Sequence, residues 1–253
     1  MKLRPIALAL LAALLFAAPD AGAQGARSGE KKAAPKQEAP AKQAKGKKGA
    51  RATPTSWYAL RVTRGDTGVI VTSLWSAGRH LRAEAVLSGV PIVQLVSGEW
   101  YYVIDGLRHT GIAVRRSPKA LQQDLATPTA RPFGNEAADL ETRGAELVRQ
   151  EEVGGRQAKV LRLTDQMGRH EVWVTDDASA LPIRIDSTDR ESGVHIVTDY
   201  VDWLSEVELP AAFFEPDPRI QIQRLEYDEY LQRSPQSPLG PAPVIFGDLL
   251  HGR

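Results

Sequence analysis

The sequence predicts a mostly β domain of the α+β class: a curled antiparallel sheet or half-open β-barrel with two helices as its lid or plug. Three observations predict it. From Ser56 to Arg115, and again from Gly154 to Pro216, short β-prone runs are separated by polar, Gly-containing turns roughly every ten residues, the spacing of an antiparallel meander. Within the runs apolar and polar residues alternate. Val172 and Val174 stand against Glu171, Trp173 and Thr175, and Ile183 and Ile185 against Arg184 and Asp186, which gives each strand one dry and one wet face. Between the two meanders the period becomes helical. A large sheet with one apolar face and too few helices to cover it curls on itself.

The chain opens with a targeting signal. Lys2 and Arg4 form a positive n-region, Ile6 to Ala18 an apolar h-region too short to span a bilayer comfortably, and Ala21-Gly22-Ala23 a cleavage site. Residues 1–23 are expected to be a signal peptide, with the mature protein starting at Gln24. With no twin Arg and no Cys after the site, the expectation is Sec export to the periplasm without lipid attachment. Cysteine is absent throughout, so the exported fold must hold by its core alone.

Residues 24–55 are Ala, Lys, Pro, Gln and Gly with no aromatic residue, too little apolar surface to offset ordering entropy. They are expected to form a disordered basic tether. Nine Lys/Arg against two Glu give it +7; the whole chain carries +1 and the signal +1, which leaves −7 on the body. Such an arm is a solvated spacer or a contact to anionic envelope surfaces. Nucleic acid is not an expected partner of an exported protein.

The domain is placed at 56–233. Ser56 to Arg64, Val69 to Trp75, Arg79 to Leu87, Pro91 to Val96, Trp100 to Ile104 and Leu107 to Arg115 read as strands, with Asp105-Gly106 as a two-residue type I′ hairpin. Ser117-Pro118 is a helix start, an N-cap followed by Pro at the first helical position, with Leu121 and Leu125 on one side. After Pro128 and Pro132, Glu136 to Glu151 reads as a second helix, with Ala137, Leu140, Gly144, Leu147 and Val148 on its stripe. Ile220 to Arg233 suits a last strand or a short helix. Residues 234–253 form a Pro-rich C-terminal tail whose Val244-Ile245-Phe246 patch is able to dock on the body.

Several of these runs carry a resemblance. Gly155-x5-Leu161, Val172-Trp173-Val174, Leu181-Pro182-Ile183, Tyr200 and Leu209-Pro210…Phe214-Glu215-Pro216 resemble the second half of the outer-membrane lipoprotein-sorting (LolA/LolB-like) superfamily. Leu74-Trp75…Arg82-Ala83-Glu84 and Gly98-Glu99-Trp100-Tyr101-Tyr102-Val103 resemble its first half, so the likeness spans about residues 57–230. The resemblance implies a half-open barrel whose apolar cavity takes up acyl chains under a helical lid, here the helices at 117–125 and 136–151. It implies a cavity wall of Leu81, Ala83, Val93, Leu95, Trp100, Tyr102, Val172, Val174, Ile183, Ile185 and Phe214. It also implies an Arg that latches the lid, for which Arg82 ranks ahead of Arg79. The same side chains would equally serve as an ordinary filled core. The tether runs almost directly into the first strand, without the amphipathic helix that begins such domains, so the lid is expected to be incomplete.

Catalytic chemistry is not signalled. No G-x-S-x-G, H-E-x-x-H, P-loop or G-x-G-x-x-G occurs, and there is no Cys nucleophile. His80, His109, His170, His195 and His251 are scattered; His170-Glu171 and His195 could face each other across strands, but no metal, cofactor or catalytic residue is expected. The expected function is a periplasmic LolA-like protein, not an enzyme, binding an acyl chain, a lipoprotein or another amphiphile, with a place in outer-membrane lipoprotein or lipid trafficking. The alternative is an envelope regulatory or scaffolding protein that uses the same fold to dock a protein partner.

Overall fold

The computed structural model describes residues 55–252 except Thr67 and Thr129. The expected signal peptide and the expected tether up to residue 54 lie outside the described residues. Six strands run as a meander: β1 (Ser56–Gly65), β2 (Gly68–Ala77), β3 (His80–Leu87), β4 (Val90–Ser97), β5 (Trp100–Asp105) and β6 (Thr110–Arg115). Helices α1 (Pro118–Ala126) and α2 (Glu136–Thr142) follow. A second meander comprises β7 (Glu146–Val153), β8 (Arg156–Thr164), β9 (Gly168–Thr175), β10 (Pro182–Asp189) and β11 (His195–Ser205). After a 3-10 turn (Ala211–Phe214) come β12 (Gln221–Leu225), α3 (Tyr227–Arg233) and α4 (Gly247–His251).

All twelve strands form one sheet, in the order β12-β6-β5-β4-β3-β2-β1-β11-β10-β9-β8-β7. The two meanders join at a central seam, where β11 pairs with β1 from Trp57↔Ser205 to Arg64↔Val197. The sheet curls but stays open, with β12 and β7 as its edges, as a curled sheet or half-open barrel requires.

Four local expectations are corrected. The helix expected over 136–151 stops at Thr142. Gly144, at φ +89°, takes the left-handed position; its N–H donates to Glu141 O (3.0 Å) and that of Ala145 to Leu140 O (2.9 Å). This is a Schellman closure, which satisfies the last carbonyls and turns the chain out of the helix. Glu146 to Val153 then becomes edge strand β7 on β8. Second, the sheet is not wholly antiparallel, because β12 lies parallel to β6. Residues 220–233 hold both the strand and the helix between which the sequence leaves a choice. Third, Asp105-Gly106 makes no two-residue hairpin. The Asp105 carboxylate accepts from Leu107 N (2.9 Å) and Arg108 N (2.8 Å), which stabilises a longer loop before β6. Fourth, β10 is irregular between Pro182↔Val174 and Arg184↔Trp173. The extra residue turns Ile183 away from Ile185, into a cluster with Ala158, Val160 and Trp173.

The sheet has an inner face, covered by α2, α4 and the segment before α4, and an outer face. Leu74, Leu81, Ala83, Ile92, Val96, Tyr101, Val103, Ile112 and Val114 point inward, where Phe246, Leu249 and Leu250 complete the main core. Under α2, Ala137 and Leu140 pack with Leu161, Leu163, Val172 and Val174. Between these clusters the 131–135 loop lies across the seam. Trp203 stacks on Tyr200 and Phe133, and the Arg131 guanidinium sits 4.9 Å from the Trp57 ring centre and 4.8 Å from that of Trp203. Gly134 is required here: its φ is +72°, and a Cβ would stand 2.4 Å from the Trp203 ring.

Candidate functional site

The expected cavity-wall residues divide between the two faces. Register places Leu81, Ala83, Val172, Val174 and Ile185 inward, and Arg82, Val93, Leu95, Trp100 and Tyr102 outward. Ile183 is outward through the irregularity in β10, and Phe214 is buried in the 3-10 turn beside His80. Side chains on opposite faces of one sheet cannot line one cavity, so no single cavity holds this set. The inward group is packed against other parts of the chain, and the outward group borders open space.

That space is a groove of 770 Å³ between the outer face of β3–β5 and the strap formed by residues 212–220. Val93, Leu95 and Ile104 form its floor; Phe213 and Ile220 face them from the strap. Leu95, Tyr102, Ile104 and Ala113 belong to one apolar cluster with Val93, Trp100, Ile220 and Ile222 around it. Trp100 and Tyr102 therefore support the groove from beside it. Arg82 holds the strap: its Nη1 donates to Phe213 O (2.9 Å), its guanidinium lies 4.7 Å from the Phe213 ring centre, and its Nε reaches Glu84 (2.6 Å). Trp75 meets the same ring edge-on at 5.5 Å. At the groove's rim Asp217 accepts hydrogen bonds from the Arg219 guanidinium and from its backbone N–H, which hold its carboxyl well below the usual range.

Arg82 thus grips the strap, on the face away from α2. The arginine at α1 is Arg79, whose Nε donates to Asp124 (2.9 Å), and Arg116 meets the same carboxylate at 2.5 and 3.0 Å. Burial works against the Asp124 charge, but Arg116 and Arg79 outweigh it and keep the carboxyl below its ordinary pKa. Ser117 caps α1 as the sequence predicts, accepting from Ala120 N (3.1 Å).

On the outer face of the second meander the chemistry is ionic. Glu171 accepts from Arg162 (2.5 Å) and Arg169 (2.8 Å), with Arg149 at 3.6 Å. Asp199 pairs with Arg184 (2.7 Å) and Arg64. His195 meets Asp186 here at 2.9 Å, while His170 is turned inward to Ser187 (3.1 Å), so the two histidines lie on opposite faces. Among the described residues no group of three or more His, Cys, Asp or Glu is placed to hold a metal ion. No helix among them is long and apolar enough to cross a membrane.

No family model matches the chain. No curated protein matches it in sequence. Solved structures similar to it include an uncharacterised conserved protein from Thermus thermophilus, with 13% identity and a TM-score of 0.49 over 68% of this chain and 91% of that one. Another is a chain of the Pseudomonas aeruginosa MucA/MucB complex, with 16% identity and a TM-score of 0.43; the match covers 67% of this chain and spans only 58% of that one. A third is a putative outer membrane lipoprotein-sorting protein domain from Vibrio parahaemolyticus, with 13% identity and a TM-score of 0.30 over 63% of this chain and 88% of that one.

Proposed function

We propose that this is an exported, non-catalytic binding protein of the lipoprotein-sorting type, and that its outer groove takes up the apolar part of an amphiphile such as an acyl chain or a lipoprotein. The observation that supports this reading is the groove itself. Its size suits a small ligand, its floor is aliphatic, and the strap that roofs it is held by one arginine clamp and a pair of aromatic contacts. Arg82 places a cationic group and His109 an imidazole at the lining, where an anionic headgroup would sit. The reading moves the ligand from the inner face, where family resemblance puts it, to the outer one.

The test compares the two faces with an environment-sensitive apolar dye. Val93→Thr and Ile220→Thr, in the groove, should weaken dye binding about fivefold each while the thermal midpoint holds. Val174→Thr, in the packed inner cluster, should lower the midpoint and leave dye affinity unchanged. Wild-type protein that binds no dye and carries no lipid in native mass spectrometry sinks the proposal. A stoichiometric protein in that experiment would favour the partner-docking reading. That second reading is supported by a row of outer-face valines, Val62, Val71 and Val86, beside the groove; Val71 is 50% and Val86 62% exposed.

A further inference from the structure

The segment that covers the inner face of β4–β6 is held by its main chain. Gln94, buried in β4, donates from Nε2 to Pro243 O (2.8 Å) and accepts at Oε1 from Ile245 N (3.1 Å). Tyr101, fully buried in β5, donates to Gln94 Oε1 and accepts from Phe246 N (3.3 Å). Arg116, also buried, donates from Nε to Leu249 O (2.6 Å). Ser117 donates from its N–H to Leu250 O (2.9 Å) and from its hydroxyl to His251 O (2.6 Å). Between these contacts Phe246, Leu249 and Leu250 fill the main core.

Buried polar side chains that read carbonyls and N–H groups recognise a peptide by its backbone. An alkyl chain offers no such groups and would leave Gln94 Nε2, Arg116 Nε and the Ser117 N–H without their partners in the core. The approach to the seat is loose by contrast. Pro235, Pro238, Pro241 and Pro243 keep the preceding strap from forming regular structure, and it bridges a cavity of 270 Å³ lined by Ile112, Tyr230, Leu239 and Val244. We propose that this seat is a peptide-binding site, filled in cis by residues 243–251. Its ligand class is an apolar peptide with the spacing aromatic-x-x-Leu-Leu, and such a peptide in trans competes with the chain's own segment. This does not rest on the amphiphile reading, which concerns the other face.

The test uses the full chain with a protease recognition sequence inserted between Gln236 and Ser237, and a fluorescent peptide of residues 237–252. Before cleavage the labelled peptide should not bind, because the seat is filled. After cleavage it should exchange with the native segment, read as a rise in anisotropy. A peptide carrying Phe246→Ala, Leu249→Ala and Leu250→Ala should compete about a hundredfold less well or worse. Gln94→Leu in the cleaved protein should weaken the peptide about tenfold through its lost backbone partners. A fatty acid should not displace it. The proposal is overturned if the cleaved protein unfolds, if it stays folded yet admits no labelled peptide over days, or if a fatty acid displaces the peptide.

Discussion

The two meanders build similar antiparallel strands and finish their outer faces in opposite ways. In β4–β6 the outward residues are mostly apolar, and a strap from beyond the seam is drawn over them, leaving a groove beneath. In β8–β11 arginines and carboxylates paired across strands share the outward face with an apolar cluster of Ala158, Val160, Trp173 and Ile183. The difference is one of finish: an apolar outer face needs a cover, and an imperfect cover leaves a groove. Charges paired across strands need none. The inner faces differ as well, since α2 covers the second half through side chains alone and the 243–251 segment covers the first through a polar seat.

The sharpest way to break this contrast is Leu250→Ala. Leu250 is 0% exposed in the main core, and its truncation should cost about 2–5 kcal/mol in chemical denaturation. A smaller loss than about 1 kcal/mol would mean that the inner face of the first half is not a packed core. Next comes Glu171→Ala. The Glu171 side chain is 7% exposed, burial pushes its carboxyl up, and Arg169 and Arg162 outweigh that to hold it below the ordinary range. Removing it strands its arginines, but these are 36–55% exposed and screened, so the cost should be about 1–2 kcal/mol. A neutral result would reduce the ionic face to decoration.

Asp124 tests how the first half holds α1. Its folded pKa lies below the unfolded one, so its contribution is fully present above about pH 4 and is lost as the pH falls through the folded pKa. Asp124→Asn should cost about 1 kcal/mol at neutral pH, and the gap between variant and wild type should close in acid. A gap that persists at low pH would assign the loss to packing. The smallest effect is expected at Arg219→Ala on the groove's rim. Arg219 is 83% exposed in its pair with Asp217, so the thermal midpoint should not move.

Much of this arrangement was legible in the chain. Strands and turns were readable because alternation and Gly-containing turns are local signals, and so was the α1 cap, since Ser117-Pro118 is a local signal too. What was hidden depends on register or on distance. The Ile183 alternation is regular in sequence, yet one extra residue near Pro182 reverses its face, and no composition marks that. The end of α2 was signalled by Gly144, but an apolar stripe through Leu147 and Val148 fits a helix as well as an edge strand. Gln94 sits in an ordinary strand, and its partners at 243 and 245 become neighbours only in the folded chain. The residues of the expected wall were mostly buried as foreseen; which face each would join was the part that local pattern could not supply.

The central seam has a consequence for how the molecule is made. β1 is an early strand in the chain and sits at the middle of the sheet, but its second neighbour is β11, and Trp57 waits for Ser205. Until β11 arrives, β1 is an open edge with unpaired backbone groups, and the first meander is a free-standing sheet able to pair with another copy of itself. Contacts of such long sequence separation close slowly, and partly folded intermediates with free edges aggregate. Refolding yield should therefore fall with protein concentration more steeply than native stability would suggest, and the hazardous species is the half-made sheet awaiting its seam.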